Sequence, residues 1–391
     1  MTIWKKSTAV LLTAMMSASL LGGCGTKSDS AGNVTASNTN AASTSTEPVV
    51  INFHYGGSLN VKSLWEALVP KFEEKNPGIK VKQTYLPPGQ AASPIVDRLI
   101  AAKKSGQSTV DIDLFEGGLG EITAGEKEGI WEKLNDSQIP NLSKVDQKFL
   151  QQIQYLGVPY RASSVVLAYN SEKVANPPKT AEELYTWIRQ NPGRFAYNDP
   201  ATGGSGNSFV VTAIYNFLDP DAITSNDPAV MAKWDKGFSL LKELGPYMYG
   251  KGIYPKKNQG TLDLLASGEV DMIPAWSDMA LEQINKKLLP ESTKVAQIEP
   301  SFTGGPAYML VPAMSAKKEA TQKFLDFLLT PEAQEVVVNT MYGYPGIKWE
   351  EMPSSLQEQF ASVANGYRQF SGGELEKEMN KRWQKEVAGA K

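Results

Sequence analysis

The chain has 391 residues, a formal net charge of −3, one cysteine and one histidine. A single cysteine excludes disulfides and cysteine-built zinc sites, and a lone His54 leaves almost no material for a Ser-His-Asp triad or a multi-histidine metal centre. The mildly acidic balance argues against a nucleic-acid partner, and no run after residue 24 is apolar for long enough to span a membrane as a helix.

Residues 1–23 read as a signal peptide: Lys5 and Lys6 precede an apolar stretch over 9–21 that is too short for a membrane span. The small residues of Leu21-Gly22-Gly23-Cys24 resemble a bacterial lipobox, which implies cleavage ahead of Cys24 and a lipid (palmitate-type) anchor on it. Each buried methylene of such a chain contributes about 0.8 kcal/mol, so several chains hold a protein at a membrane. Cleavage leaves residues 24–391, room for two domains of ordinary size and more acidic than the whole by two charges' worth of lysine. Residues 24–47 are rich in Ser, Thr, Asn, Ala and Gly without an aromatic residue, a tether that cannot bury enough surface to order itself. Its coil reach is about 25 Å.

Val49-Val50-Ile51-Asn52-Phe53-His54-Tyr55 has the pattern of a buried strand, halted by Gly56-Gly57-Ser58. Leu64, Leu68 and Phe72 then mark a helix that Pro70 should kink or break. Asn76-Pro77-Gly78 turns the chain into a strand over 79–85, followed by a helix over 94–104 and a strand over 110–115. Strands separated by helical crossovers predict an α/β fold with a mostly parallel sheet. Further along, 164–170 reads as a strand, and Thr180 with Glu183 makes a capping-box start for a helix over 180–189. Phe209, Ala213, Ile214 and Phe217 mark another helix, 262–266 another, and 270–274 a short strand. The last third is helical: Thr330-Pro331-Glu332 is a helix start, and Leu375, Met379, Trp383 and Val387 form one apolar face.

Three groups of residues could bind a solute. Thr202-Gly203-Gly204-Ser205-Gly206-Asn207 precedes the helix of Phe209, where backbone N–H groups and the hydroxyl and amide of Ser205 and Asn207 suit an anion; a plain flexible loop is the alternative. Trp276, Ser277 and Asp278 follow the strand over 270–274, so Trp276 could stack on a ring or cation and Asp278 pair with an ammonium group; otherwise Trp276 is core and Asp278 caps the next helix. Tyr55, Gly56, Gly57 and Ser58 follow the first strand, and Glu116 and Gly117 follow the third, with Glu116 a cation partner or a solvated turn residue. His54 is read as packed. Arg161, beside Tyr160, could clamp an anion or make a structural ion pair. Asp111 and Asp113 share one face of an extended strand near Glu116, which would suit a carboxylate-based hydrolase.

Phe72-Glu73-Glu74-Lys75-Asn76-Pro77-Gly78-Ile79-Lys80-Val81, Gly157-Val158-Pro159-Tyr160 with Leu167-Ala168-Tyr169-Asn170, and residues 320–334 ending in Thr330-Pro331-Glu332-Ala333-Gln334 together resemble family 1 of the extracellular solute-binding proteins of bacterial ABC importers. Asn191-Pro192-Gly193-Arg194-Phe195, residues 275–278 and Phe302-Thr303-Gly304-Gly305-Pro306 resemble its iron-, thiamine- and polyamine-binding branch, although one histidine and no adjacent tyrosine pair point away from iron. The resemblance implies a two-lobed periplasmic-binding-protein-like (type II) fold. The first lobe would combine 48–163 with 304–391, the second would be 164–303, and the crossings would fall near 160–164 and 302–305. It also implies a ligand cleft touched by Thr303 and Gly304 as well as the residues above. The expected protein is a monomeric, non-enzymatic binding protein without cofactor or metal, exported and held on the outer face of the cell membrane. Its partners would be a small polar solute and a membrane permease; a surface sensor using the same fold is the alternative.

Overall fold

The computed structural model describes residues 47–86, 93–360 and 366–389, so the signal peptide, Cys24 and all of the tether but its last residue lie outside the described residues. In chain order the elements are β1 (Val49–Gly56), α1 (Leu59–Lys75), β2 (Ile79–Leu86), α2 (Ser93–Lys104), β3 (Leu114–Gly117), α3 (Leu119–Glu128), α4 (Gln147–Gln152), β4 (Val158–Asn170), α5 (Ala181–Gln190), α6 (Gly204–Tyr215), α7 (Asp235–Leu244) and α8 (Lys257–Ala266). They continue with β5 (Met272–Trp276), α9 (Ser277–Asn285), β6 (Thr293–Ala296), β7 (Gly304–Leu310), α10 (Lys318–Leu328), α11 (Pro331–Met341), β8 (Tyr344–Pro345), α12 (Ser354–Phe360) and α13 (Gly373–Trp383).

The helical crossovers do what the sequence suggests for the first three strands: β1 runs parallel to both β2 and β3. Beyond β3 the pairing reverses. β7 is antiparallel to β3 and β4, and β5, β6 and β8 are all antiparallel to β4. The sheet is therefore mixed, because the chain returns beside β4 in the opposite direction instead of crossing over it. β4 is also longer than the expected 164–170, and residues 160–164, read as a crossing, are part of this continuous strand. The expected strand over 110–115 begins only at Leu114, since the Asp113 carboxylate accepts the Asn52 N–H at 2.8 Å. α1 continues through Pro70 without ending there.

Two large cores flank this framework. One gathers Ile51, Phe53, Trp65, Phe72, Phe324, Leu328 and Val337 from β1, α1, α10 and α11. Aromatic edges interlock inside it: the rings of Phe53 and Trp65 are 4.7 Å apart at 84°, and those of Phe72 and Phe324 4.8 Å apart at 85°, the edge-to-face geometry that aromatic quadrupoles favour. The other gathers Phe195, Tyr197, Phe209, Trp234 and Phe238 around α6 and α7. Leu375, Met379, Trp383 and Val387 are buried as their spacing predicts, but they join this second core, and the Trp383 indole donates to the Tyr197 hydroxyl at 2.9 Å. Within residues 304–391, expected in the first lobe, α13 thus packs its apolar stripe on the core around α6 and α7. The Thr180 and Thr330 hydroxyls accept the N–H groups of Glu183 and Ala333 as read, but the expected capping box is incomplete, since the Glu183 carboxylate accepts the Lys179 N–H at 2.7 Å and not that of Thr180.

Candidate functional site

The carboxyl ends of β1, β3 and β5, the middle of β4 and the N-termini of α1 and α9 meet around a cleft of about 780 Å³. Gly57 lets the chain leave β1: its φ of 121° is a conformation that side-chain-bearing residues avoid. Just beyond, α1 begins and carries Asn60 into the cleft. β3 ends with Glu116 and Gly117, and β4 contributes Arg161 and Ser163; with Asn60 and Asp278 these polar side chains are taken together as the cleft floor. β5 runs two residues past the expected 270–274 and ends on Trp276, and Asp278 stands in the first turn of α9, where a carboxylate complements the unpaired N–H groups.

Of the residues read from sequence, Gly56, Gly57, Ser58, Glu116, Gly117, Arg161, Thr202, Trp276 and Asp278 line this cleft. Others stand behind it. The buried Tyr55 ring belongs to the first core, with its hydroxyl donating to Gln83 Oε1 at 3.1 Å. Tyr160 is buried; its hydroxyl donates to Glu116 Oε1 at 2.6 Å and accepts from Arg161 Nε at 2.7 Å. Ser277 Oγ lies 3.3 Å from Ser163 Oγ, also buried. Thr303 is spent on Ser208, its N–H and hydroxyl both directed at Ser208 Oγ at 2.9 and 2.7 Å. A Cβ on Gly304 would come within 2.4 Å of the Ser163 carbonyl, so that glycine serves strand packing.

The glycine-rich segment is not an anion cradle. Gly204, Ser205, Gly206 and Asn207 form the first turn of α6 and do not line the cleft; the donors of Ser205 and Gly206 are already taken, while the buried Asn207 Nδ2 has no partner. Asn198 Oδ1 accepts from the Gly206 N–H and the Ser205 hydroxyl, both at 2.8 Å, while Asn258 Oδ1 accepts from the Ser205 N–H at 3.1 Å. A Cβ on Gly206 would meet the Asn198 carbonyl oxygen at 1.9 Å and one on Gly204 the Trp276 indole at 2.8 Å. Glycine is required here for close packing, which sequence alone does not distinguish from ligand approach.

Missed by the sequence reading are Asn60, Ser163, Gly305, Lys257, Gln283 and Lys286, all lining residues. Asn60 had a signal, its place two residues after a glycine turn at a helix start; Lys257 and Lys286 enter only because α8 and α9 pack beside the cleft. Asn60 Nδ2 donates to Asp278 Oδ2 at 3.0 Å and Ser163 Oγ to Asp278 Oδ1 at 2.6 Å. Arg161 Nη2 donates to Glu116 Oε1 at 3.0 Å. Burial opposes the charge on Arg161, yet Tyr160, Glu116 and Asp278 around it hold its pKa above the usual value. Burial likewise pushes the Tyr160 phenol well up, so it stays a donor.

The two acids that would make a hydrolase separate. The Asp111 side chain is 78 % exposed and pairs with Arg98, whereas Asp113 is 1 % exposed and held by Asn52, Ser315 and Lys317. Neither lines the cleft.

Comparison with known proteins agrees. The profile of the bacterial extracellular solute-binding protein family matches residues 67–350, and the chain belongs to that family. Its members bind solutes rather than transform them. Protein YnjB of Escherichia coli is 22 % identical over 286 residues, covering 72 % of this chain and 69 % of that protein. The spermidine/putrescine ABC transporter substrate-binding protein PotD of Streptococcus pneumoniae superposes with a TM-score of 0.66 at 16 % identity, covering 88 % of this chain and all of that one. IdiA (FutA) of Trichodesmium, in complex with iron and citrate, gives 0.62 at 17 % identity over 86 % of this chain and 98 % of its own. The shared fold is the α/β periplasmic-binding-protein fold, carried at these identities by backbone and packing alone.

Proposed function

We propose that this protein is the substrate-binding component of an ABC importer, which captures a small polar solute between two lobes and hands it to a membrane permease. The lobes would meet across β4 and β7, with α13 counted in the second. Cys24 would carry the lipid that holds the receptor at the outer face of the membrane, the tether leaving it free to reach the permease. The reading rests on one observation above the others: polar side chains from strand and helix ends widely separated in sequence, Asn60, Glu116, Arg161, Ser163 and Asp278, converge on one cleft. A solute that touches both walls binds the closed arrangement better than the open one and so shifts the population toward it. The permease then has a liganded form to recognise.

Native mass spectrometry of the purified protein, before and after unfolding and dialysis, tests capture. The expected result is a discrete added mass that leaves on unfolding. Solute uptake in a deletion strain tests transport: loss of uptake of the identified solute supports the importer, while normal uptake with altered gene regulation would replace it with a sensor. Metabolic labelling with palmitate, lost in Cys24→Ala, tests the anchor.

A further inference from the structure

One group on the cleft floor has bonding capacity that nothing in the protein uses. Glu116 is 8 % exposed, its Oε1 takes the Tyr160 hydroxyl and Arg161 Nη2, and its Oε2 is buried with no partner. Close by, Asp278 is 5 % exposed and receives hydrogen bonds from Ser163 and Asn60, both neutral. Arg161 is the one cation on this floor among the described residues, and it is already engaged by Glu116 and Tyr160. Two carboxylates against one guanidinium leave the floor a negative charge in excess. Burying such a charge without a counter-ion is costly, and the water of an open cleft compensates only until a solute displaces it. At the mouth Lys257 and Lys286 offset Glu121 and Glu282, so the rim adds no net charge.

The two carboxylates are held by residues two apart on one face of β4, Glu116 by Arg161 and Asp278 by Ser163, which sets their anchors about 7 Å apart. Trp276 lines the same cleft. The first turn of α6 offers the cleft no anion donor: Ser205 and Gly206 are engaged by Asn198 and Asn258, and the unpartnered Asn207 Nδ2 lies outside the cleft lining. Among the described residues no group of three His, Cys, Asp or Glu side chains is placed to hold a metal ion.

We infer that the captured solute carries an ammonium group, seated between Glu116 Oε2 and the Asp278 carboxylate with its carbon skeleton against Trp276. This rests on the solute-capture reading and names the chemistry of that site.

The test is a thermal-shift and calorimetric panel on the purified full-length protein. It uses n-butylamine and butane-1,4-diamine, their neutral counterparts 1-butanol and butane-1,4-diol, the anions butyrate and succinate, γ-aminobutyrate as a zwitterion, and maltose. Stabilisation by amine-bearing members only, weakened about ten- to hundredfold in Glu116→Gln and in Asp278→Asn, is expected for the loss of charge-assisted hydrogen bonds. Tight binding of butyrate, succinate or maltose without the amines would overturn the charge assignment and leave solute capture standing. Amine binding unchanged in both variants would overturn the placement. No binding of any member, with no co-purified solute, would overturn capture and this inference together. The selectivity of the unmodified protein decides the charge assignment even where a variant fails to fold.

Discussion

The first turn of α6 and the cleft floor are alike in composition: both crowd small residues, amides and hydroxyls where a helix begins near a strand end. They differ in where bonding capacity is left: at α6 the unpartnered Asn207 Nδ2 lies outside the cleft lining, whereas Glu116 lines the cleft. Around α6, Asn198 and Asn258 close every hydrogen bond described for Ser205 and Gly206. On the floor, Glu116 keeps an oxygen in reserve. A saturated polar cluster is architecture, because any ligand group arriving there must displace a bond of equal worth. An unsaturated one can gain on binding, and the difference lies in geometry rather than residue type.

Breaking the saturated cluster should cost the most. Asn198→Ala removes an acceptor for the Gly206 N–H and Ser205 hydroxyl and a donor to two carbonyls, and should lose about 3 kcal/mol in urea unfolding, since buried unmet groups cost about 1–3 kcal/mol each. Ligand selectivity of the folded fraction should not move; a change of selectivity would show that this turn touches the solute after all. Next comes Gly206→Ala, whose methyl must displace the Asn198 carbonyl and should cost about 2 kcal/mol by overpacking. Tolerance without loss would mean that the turn is loose enough to open.

On the floor, Asn60→Ala should cost about 1 kcal/mol by taking one donor from Asp278. There the comparison sharpens: an ammonium group can take the vacated position, so butane-1,4-diamine should raise the melting temperature of this variant by more than that of the parent. An equal or smaller rise would show that Asn60 organises the site for the solute instead of competing with it.

The smallest effect concerns pH. His54, the one histidine, has its pKa lowered by burial and by Arg98 and Lys82, against the opposing pull of Asp111 and Asp113. A lowered folded value means that the fold prefers neutral imidazole. Stability from this group is therefore complete above its ordinary value of 6.5 and is lost as pH falls below it. Unfolding curves from pH 7 to 5 should show a shallow decline that His54→Gln removes; an unchanged slope would assign the decline to carboxylates.

Much of the fold was legible because its signals are local. Hydrophobic spacing marked β1, α1 and α13, and side-chain caps marked α5 and α11, since each depends on residues within a few positions. Legibility failed where partners lie far apart in sequence. Nothing near Tyr160 or Met272 reveals that β4 pairs antiparallel with β5 and β7, or that Trp383 will meet Tyr197 across 186 residues. The site divided in the same way: the strand-end rule found Glu116, Trp276 and Asp278, while Asn60, with no more than its place at a helix start to mark it, is tied to the site by its contact with Asp278 across 218 residues.

The sequence by itself carried the resemblance to the solute-binding family in its motifs, and it marked the α/β elements and the strand-end acids and aromatic residue because patterning and helix capping act over short range. Only the tertiary structure decided which of its polar clusters is closed and which still has an oxygen to offer. Saturation depends on the donors and acceptors brought together by packing, and a one-dimensional pattern does not contain them.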